Sequence, residues 1–121
     1  QILALKETTN HLSSSIQQIY SALTHSSMTS TIITINPEVP HFIEGKTYSG
    51  NATLTGLNPN STRMLEMKMY LSETEIEITK VFPVGVDFLW QNSTFLSNDP
   101  AHSITANKFA NGTISISFGG N

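Results

Sequence analysis

Cysteine is absent from the 121 residues. No disulfide framework, thiolate nucleophile or thiolate metal site can therefore be built from this chain. That absence fits a reducing cytosol, and it fits equally an exterior where packing, glycans or assembly supply the stability. Charge is scarce too: 12 % of residues are Asp, Glu, Lys or Arg, about half the usual share of ~25 %. Only six are Lys or Arg and the net charge is −3. No basic patch is available to neutralise phosphates, which argues against nucleic acid and anionic lipid as partners. No apolar run is long enough to span a bilayer, and no signal peptide is seen. The sequence opens at Gln1 inside a helical pattern, without Met, and reads as a mature chain from which an upstream segment has been removed.

What is present suits one domain with a modest core: 38 % of residues are hydrophobic. The polar surface has to come from Ser, Thr and Asn. Residues 1–24 carry apolar side chains at Ile2, Leu5, Leu12, Ile16, Ile19 and Leu23, with Thr9 in the one polar slot. Steps of three and four alternate, which is a heptad seam. A helix of this length spans about 35 Å at ~1.5 Å per residue. The seam either packs on the chain's own domain or forms a stalk that pairs with copies of itself. Residues 25–30 are small, polar and without period, and read as a linker.

Residues 31–121 read as β structure. Residues 31–35 are β-branched throughout. Pro37 and Pro40 demote the following stretch to an edge strand or extended loop. Residues 46–55 place Tyr48, Ala52 and Leu54 on one face. In residues 64–71, Leu65, Met67, Met69 and Leu71 alternate with Glu66, Lys68 and Tyr70, so a one-residue slip would bury a charge pair. Residues 74–82 put Ile76 and Ile78 in and Glu75 and Glu77 out. Val84, Val86, Phe88 and Trp90 form another alternating set, followed by a turn at Asn98-Asp99-Pro100 and a short strand at 103–106. Asn111-Gly112 signals a hairpin before Ile114, Ile116 and Phe118. The expectation is an all-β, antiparallel, immunoglobulin-like sandwich of about seven or eight strands, preceded by the N-terminal α-helix. The Cys…Trp…Cys spacing of true immunoglobulin domains is missing.

Catalytic chemistry finds little support. His11, His25, His41 and His102 include no pair at a metal-chelating spacing. There is no nucleophile elbow and no phosphate-binding glycine loop. Glu73, Glu75 and Glu77 share one strand face and read as a solvated face, with a calcium or sugar site as the lesser alternative. Asn98 and Asp99 beside Asp87 are a weaker calcium candidate. Trp90, in register with Val84, Val86 and Phe88, reads as buried and not as a sugar-stacking platform. No enzyme, no metal and no cofactor are expected.

Two features point outward. Asn51-Ala52-Thr53, Asn60-Ser61-Thr62, Asn92-Ser93-Thr94 and Asn111-Gly112-Thr113 are N-glycosylation acceptor triplets, so Asn51, Asn60, Asn92 and Asn111 are candidate glycan sites of an exported protein. Val39, Phe42 and Ile43 form a proline-flanked apolar patch. It either caps the core or serves as a dimer or partner interface by edge pairing.

A heptad helix, a Ser/Thr linker and a cysteine-free, sequon-rich sandwich together resemble archaeal proteins of the type IV pilin and archaellum class, and among them the accessory family FlaF with its relative FlaG. The likeness is one of layout along the whole chain. It implies a stator-like role in which a homodimeric sandwich outside the cytoplasmic membrane binds the surface-layer protein, with FlaG-like archaellum components as further partners. It also implies membrane attachment only through a helix upstream of Gln1. The rival expectation is a filament subunit, an archaellin or adhesive pilin. Gln17, Gln18 and the serines at 13–15 are polar for a filament core, which favours the accessory role.

Overall fold

The computed structural model describes residues 2–25, 31–56, 63–97 and 103–119. Helix α1 (Ile2–Thr24) is followed by strands β1 (Thr31–Ile35), β2 (Tyr48–Thr55), β3 (Met64–Leu71), β4 (Glu77–Pro83), β5 (Phe88–Trp90), β6 (Thr94–Leu96), β7 (Ile104–Lys108) and β8 (Ile114–Phe118). The strands form two four-stranded sheets, ordered β1-β7-β8-β5 and β4-β3-β2-β6. The chain is thus a mostly β, sandwich-like fold with one N-terminal helix. The expected linker, apart from His25, lies outside the described residues, as do Asn60, His102 and the Asn98-Asp99-Pro100 turn.

The heptad seam is used inside the fold. Leu5, Leu12 and Ile16 are fully buried, and Ile19 and Leu23 nearly so, in one core with residues of both sheets. Helix α1 touches β3 and β4 of one sheet and β7 and β8 of the other, while β2 faces β5. The helix therefore fills the mouth of the sandwich at the β1/β4 end. Ile2 departs from the seam and is exposed. The polar slot is also buried: Thr9 Oγ1 donates to the Leu5 carbonyl at 2.8 Å, and Ser13 Oγ donates to the Asn10 carbonyl at 3.0 Å. Hydroxyls satisfied by their own helix backbone can enter a core without a partner from elsewhere. The last turn of the helix has no basic residue. Lys108 reaches in from β7 instead, and its Nζ donates to the Leu23 carbonyl at 2.6 Å. A cation there satisfies an orphan carbonyl and complements the negative end of the helix dipole.

At the opposite end aromatic rings close the sheets. Phe95 stacks on Tyr48 with ring centroids 6.1 Å apart and meets Phe118 edge-on at 5.5 Å. Trp90 meets Phe118 edge-on at 5.0 Å. Gly50 sits between Phe95 and Met69 in the sheet register. A Cβ there would collide with Met69 Sδ and lie 2.9 Å from the Lys68 carbonyl oxygen, so the close approach of β3 requires glycine.

Several expectations are corrected. The sandwich is not wholly antiparallel, because β5 pairs with β8 in parallel. Val84, Val86, Phe88 and Trp90 do not form one strand. Only Phe88–Trp90 is extended, and Val86 sits on a turn with 85 % of its surface exposed. Trp90 is half-buried. Strand β6, which carries the buried Phe95, was not anticipated. Strand β4 starts at Glu77, and Ile76 and Ile78 are only partly buried.

Candidate functional site

The proline-flanked patch does not form an exposed interface as a unit. Ile43 is 3 % exposed and belongs to the core. It exchanges backbone hydrogen bonds with Lys46 across the Glu44-Gly45 turn, at 2.8 and 3.0 Å, and that turn rolls its side chain inward. Val39 is half-buried against the core and Phe42 is exposed. Tyr48 holds the loop from below by donating its hydroxyl to the Pro40 carbonyl. Val39 and Pro40 line a shallow groove of about 240 Å³ with Ala4, Glu7, His11 and Glu38. Among the described residues no three His, Cys, Asp or Glu side chains are grouped to hold a metal.

The acidic candidates stand apart in role. Glu73, Glu75 and Glu77 are exposed, with Glu73 at φ 62° in a turn. Asp87 is engaged by the helix: Tyr20 donates its hydroxyl to Asp87 Oδ1 at 2.5 Å and accepts the Gly85 N–H at 3.1 Å. Burial, and then the neighbouring Asp87 carboxylate, raise the Tyr20 hydroxyl above its ordinary range. Arg63 adds to this corner by donating to the carbonyls of Val86 and Phe88 at 3.2 and 3.1 Å. These contacts join α1 to the β4–β5 connection.

Burial pushes the Tyr48 hydroxyl up to about 12. A phenol that is harder to ionise when folded gives full stability below its unfolded value of about 10 and loses it as pH rises through the folded value. The unfolding free energy from urea titrations is therefore expected to fall between pH 10 and 12, by at most about 1.4 kcal/mol per pH unit from this group. Tyr48→Phe should flatten that fall, leaving the smaller part due to Tyr20. An equal slope in the variant would contradict the assignment.

Of the glycan candidates, Asn51, Asn92 and Asn111 are exposed. Asn51 and Thr94 are direct cross-strand partners. The triplets at Asn51 and Asn92 thus share one shallow depression of about 250 Å³ on the β2–β6 side. Asn111 caps its own turn, its Oδ1 accepting the Thr113 N–H at 3.0 Å. Asn60 lies outside the described residues.

The two outer faces of the sandwich differ. Outward positions on the β4-β3-β2-β6 sheet include Glu66, Lys68 and Glu77, the first two 4.0 Å apart. On the β1-β7-β8-β5 sheet the core takes Ile33, Ile35, Ile104, Ala106, Ile114, Ile116, Phe118 and Phe88. By alternation its outward positions are Ile32, Thr34, Thr105, Asn107, Ser115, Ser117 and Leu89, of which Thr105 and Ser115 are buried and Asn107 and Ser117 half-buried. None of them carries charge. They form two cross-strand rows, Ile32–Asn107–Ser115–Leu89 and Thr34–Thr105–Ser117. Thr34 and Thr105 hydroxyls meet at 3.3 Å, and Thr105 Oγ1 donates to the Gly119 carbonyl at 2.7 Å. Ile32 and Leu89 flank the face and are exposed by 72 % and 44 %. This neutral face escaped the sequence reading because it draws on four strands whose order no local pattern gives. Comparison with protein-family models, with curated proteins and with solved structures finds no match to this chain.

Proposed function

We propose that the chain is a non-catalytic binding module with an immunoglobulin-like sandwich, placed at the cell envelope outside the cytoplasmic membrane. In this reading it anchors the archaeal motility filament by binding the surface-layer protein. The observation that supports it is the contrast between the faces. One outer face presents Thr34, Asn107 and Ser117 between Ile32 and Leu89, with Thr105 and Ser115 buried among them and no charge to desolvate on contact. The other carries Glu66, Lys68 and Glu77. Interface centres are depleted of charge in this way, because burying an unpaired ion is costly. The triplets at Asn51 and Asn92 lie on the charged-face sheet and its β5–β6 connection, so glycans there would leave the neutral face uncovered.

Co-sedimentation with surface-layer sheets isolated from the same cells tests the reading. The module is expected in the pellet in a saturable amount. A module that stays in the supernatant at every sheet concentration would overturn it and would favour the filament-subunit reading.

A further inference from the structure

The acceptor triplets at Asn51 and Asn92 lie side by side, and the fold holds them differently. Asn51-Ala52-Thr53 sits inside β2, the interior strand between β3 and β6. Strand β2 pairs with β3 along its whole length, and with β6 from Ser49 to Asn51. Residues i and i+2 of a strand share a face. Asn51 and Thr53 are accordingly both exposed, while Ala52 between them is buried in the core. Asn92-Ser93-Thr94 belongs to the β5–β6 connection, and residues 91–93 lie in no strand. Gln91 N–H donates to the Ile116 carbonyl at 3.0 Å, and Ser93 Oγ accepts the Phe118 N–H at 2.9 Å. Asn92 lies between these two anchors and is exposed. Thr94 is also exposed, and it opens an edge strand of only three residues.

We infer that the fold divides these two triplets in time: Asn92 accepts a glycan on the folded chain, and Asn51 accepts one only before β2 is paired. Exposure alone would make the two equal, since all four Asn and Thr side chains reach solvent. The reaction asks for more than exposure. The Asn side-chain nitrogen forms a bond to the anomeric carbon of a sugar, and the bond from that carbon to a lipid-linked phosphate breaks. The lipid phosphate leaves, and one amide proton passes to a base of the transferase. The enzyme must reach the Asn amide and the hydroxyl two residues on together, and must close around the backbone that carries both. A connection enters such a cleft by local opening, which costs little. An interior strand enters it only by breaking the ladders on both its sides, at a cost close to that of global unfolding. The inference shares with the proposed function only the premise of export, and is independent of what the neutral face binds.

Membranes of the same cells, with their lipid-linked glycan, supply the transferase for a direct test. They are incubated with the folded chain and, separately, with synthetic peptides of residues 47–55 and 89–97. Mass spectrometry of the fragments then gives the rate at each Asn. The two peptides should be modified at rates within a factor of a few. On the folded chain Asn92 should be modified at least about tenfold faster than Asn51. Gly50→Ala puts a Cβ against Met69 Sδ and 2.9 Å from the Lys68 carbonyl oxygen. By loosening β2 from β3 it should raise the Asn51 rate towards that of its peptide. Equal rates at both sites of the folded chain would overturn the inference. So would a folded chain modified at neither site while the peptides are, peptides that accept no glycan, or a tenfold preference already present in the peptides. A chain isolated from the cells without any glycan, but with the folded-chain preference intact in the membranes, would strike the premise of export and the proposed function with it. The division by the fold would stand.

Discussion

Removing residues 1–24 is expected to abolish cooperative folding of the remainder. The seam side chains Leu5, Leu12, Ile16, Ile19 and Leu23 are buried between the sheets. Each contributes roughly 1.5–3 kcal/mol by burial, about 7–15 kcal/mol together, and a domain of this size has a net stability of about 5–15 kcal/mol. The loss would not stop at the helix. Leu65, Met67 and Met69 on β3 and Ile114 and Ile116 on β8, all fully buried or nearly so, would face water. Lys108 would lose the Leu23 carbonyl that accepts from its Nζ, leaving an inward-facing charge without that partner. Circular dichroism and dye binding of residues 31–121 should show no thermal transition and exposed apolar surface. A sharp, reversible melt in that fragment would contradict the packing.

The second large effect concerns binding without folding. Asn107→Lys and Ser117→Lys together place two cations on the neutral face, on the central strands β7 and β8 and away from the β1 edge. Neither position faces the core, and surface substitutions usually change stability by no more than about 0.5 kcal/mol. In a close-packed contact each ammonium would have to shed water without a partner. The pair should therefore weaken binding to surface-layer sheets at least a hundredfold, about 2.7 kcal/mol, with an unchanged melting temperature. A matched pair on the charged face, Thr53→Lys and Thr79→Lys, should leave binding within a factor of a few.

Much of the core was legible because alternation and burial coincide. Leu65, Met67, Met69 and Leu71 on β3 are all buried, and charge on the intervening positions admits no other register. The helix was legible for the same reason, since its apolar residues repeat at heptad spacing. What covers the seam was not legible, because a stripe of this width serves a sandwich mouth and a coiled coil equally well. Ile43 and Val86 mark where local pattern misleads. Ile43 is turned inward by the Glu44-Gly45 reversal, and Val86 satisfies an alternation that the chain breaks with a turn. The parallel pairing of β5 with β8 left no local trace, because the partners are brought together by the whole β6–β7 excursion. The neutral face needed strand order before Thr34, Thr105 and Ser117 could be seen as one row.

Light scattering of the unaltered chain and of the Asn107→Lys, Ser117→Lys pair, each mixed with soluble surface-layer protein from the same cells, tests most directly whether the neutral face is the docking face. The unaltered chain should form a heavier complex and the altered chain should scatter as the unmixed components. Complexes of equal mass with both chains, or with neither, would contradict the assignment of docking to that face.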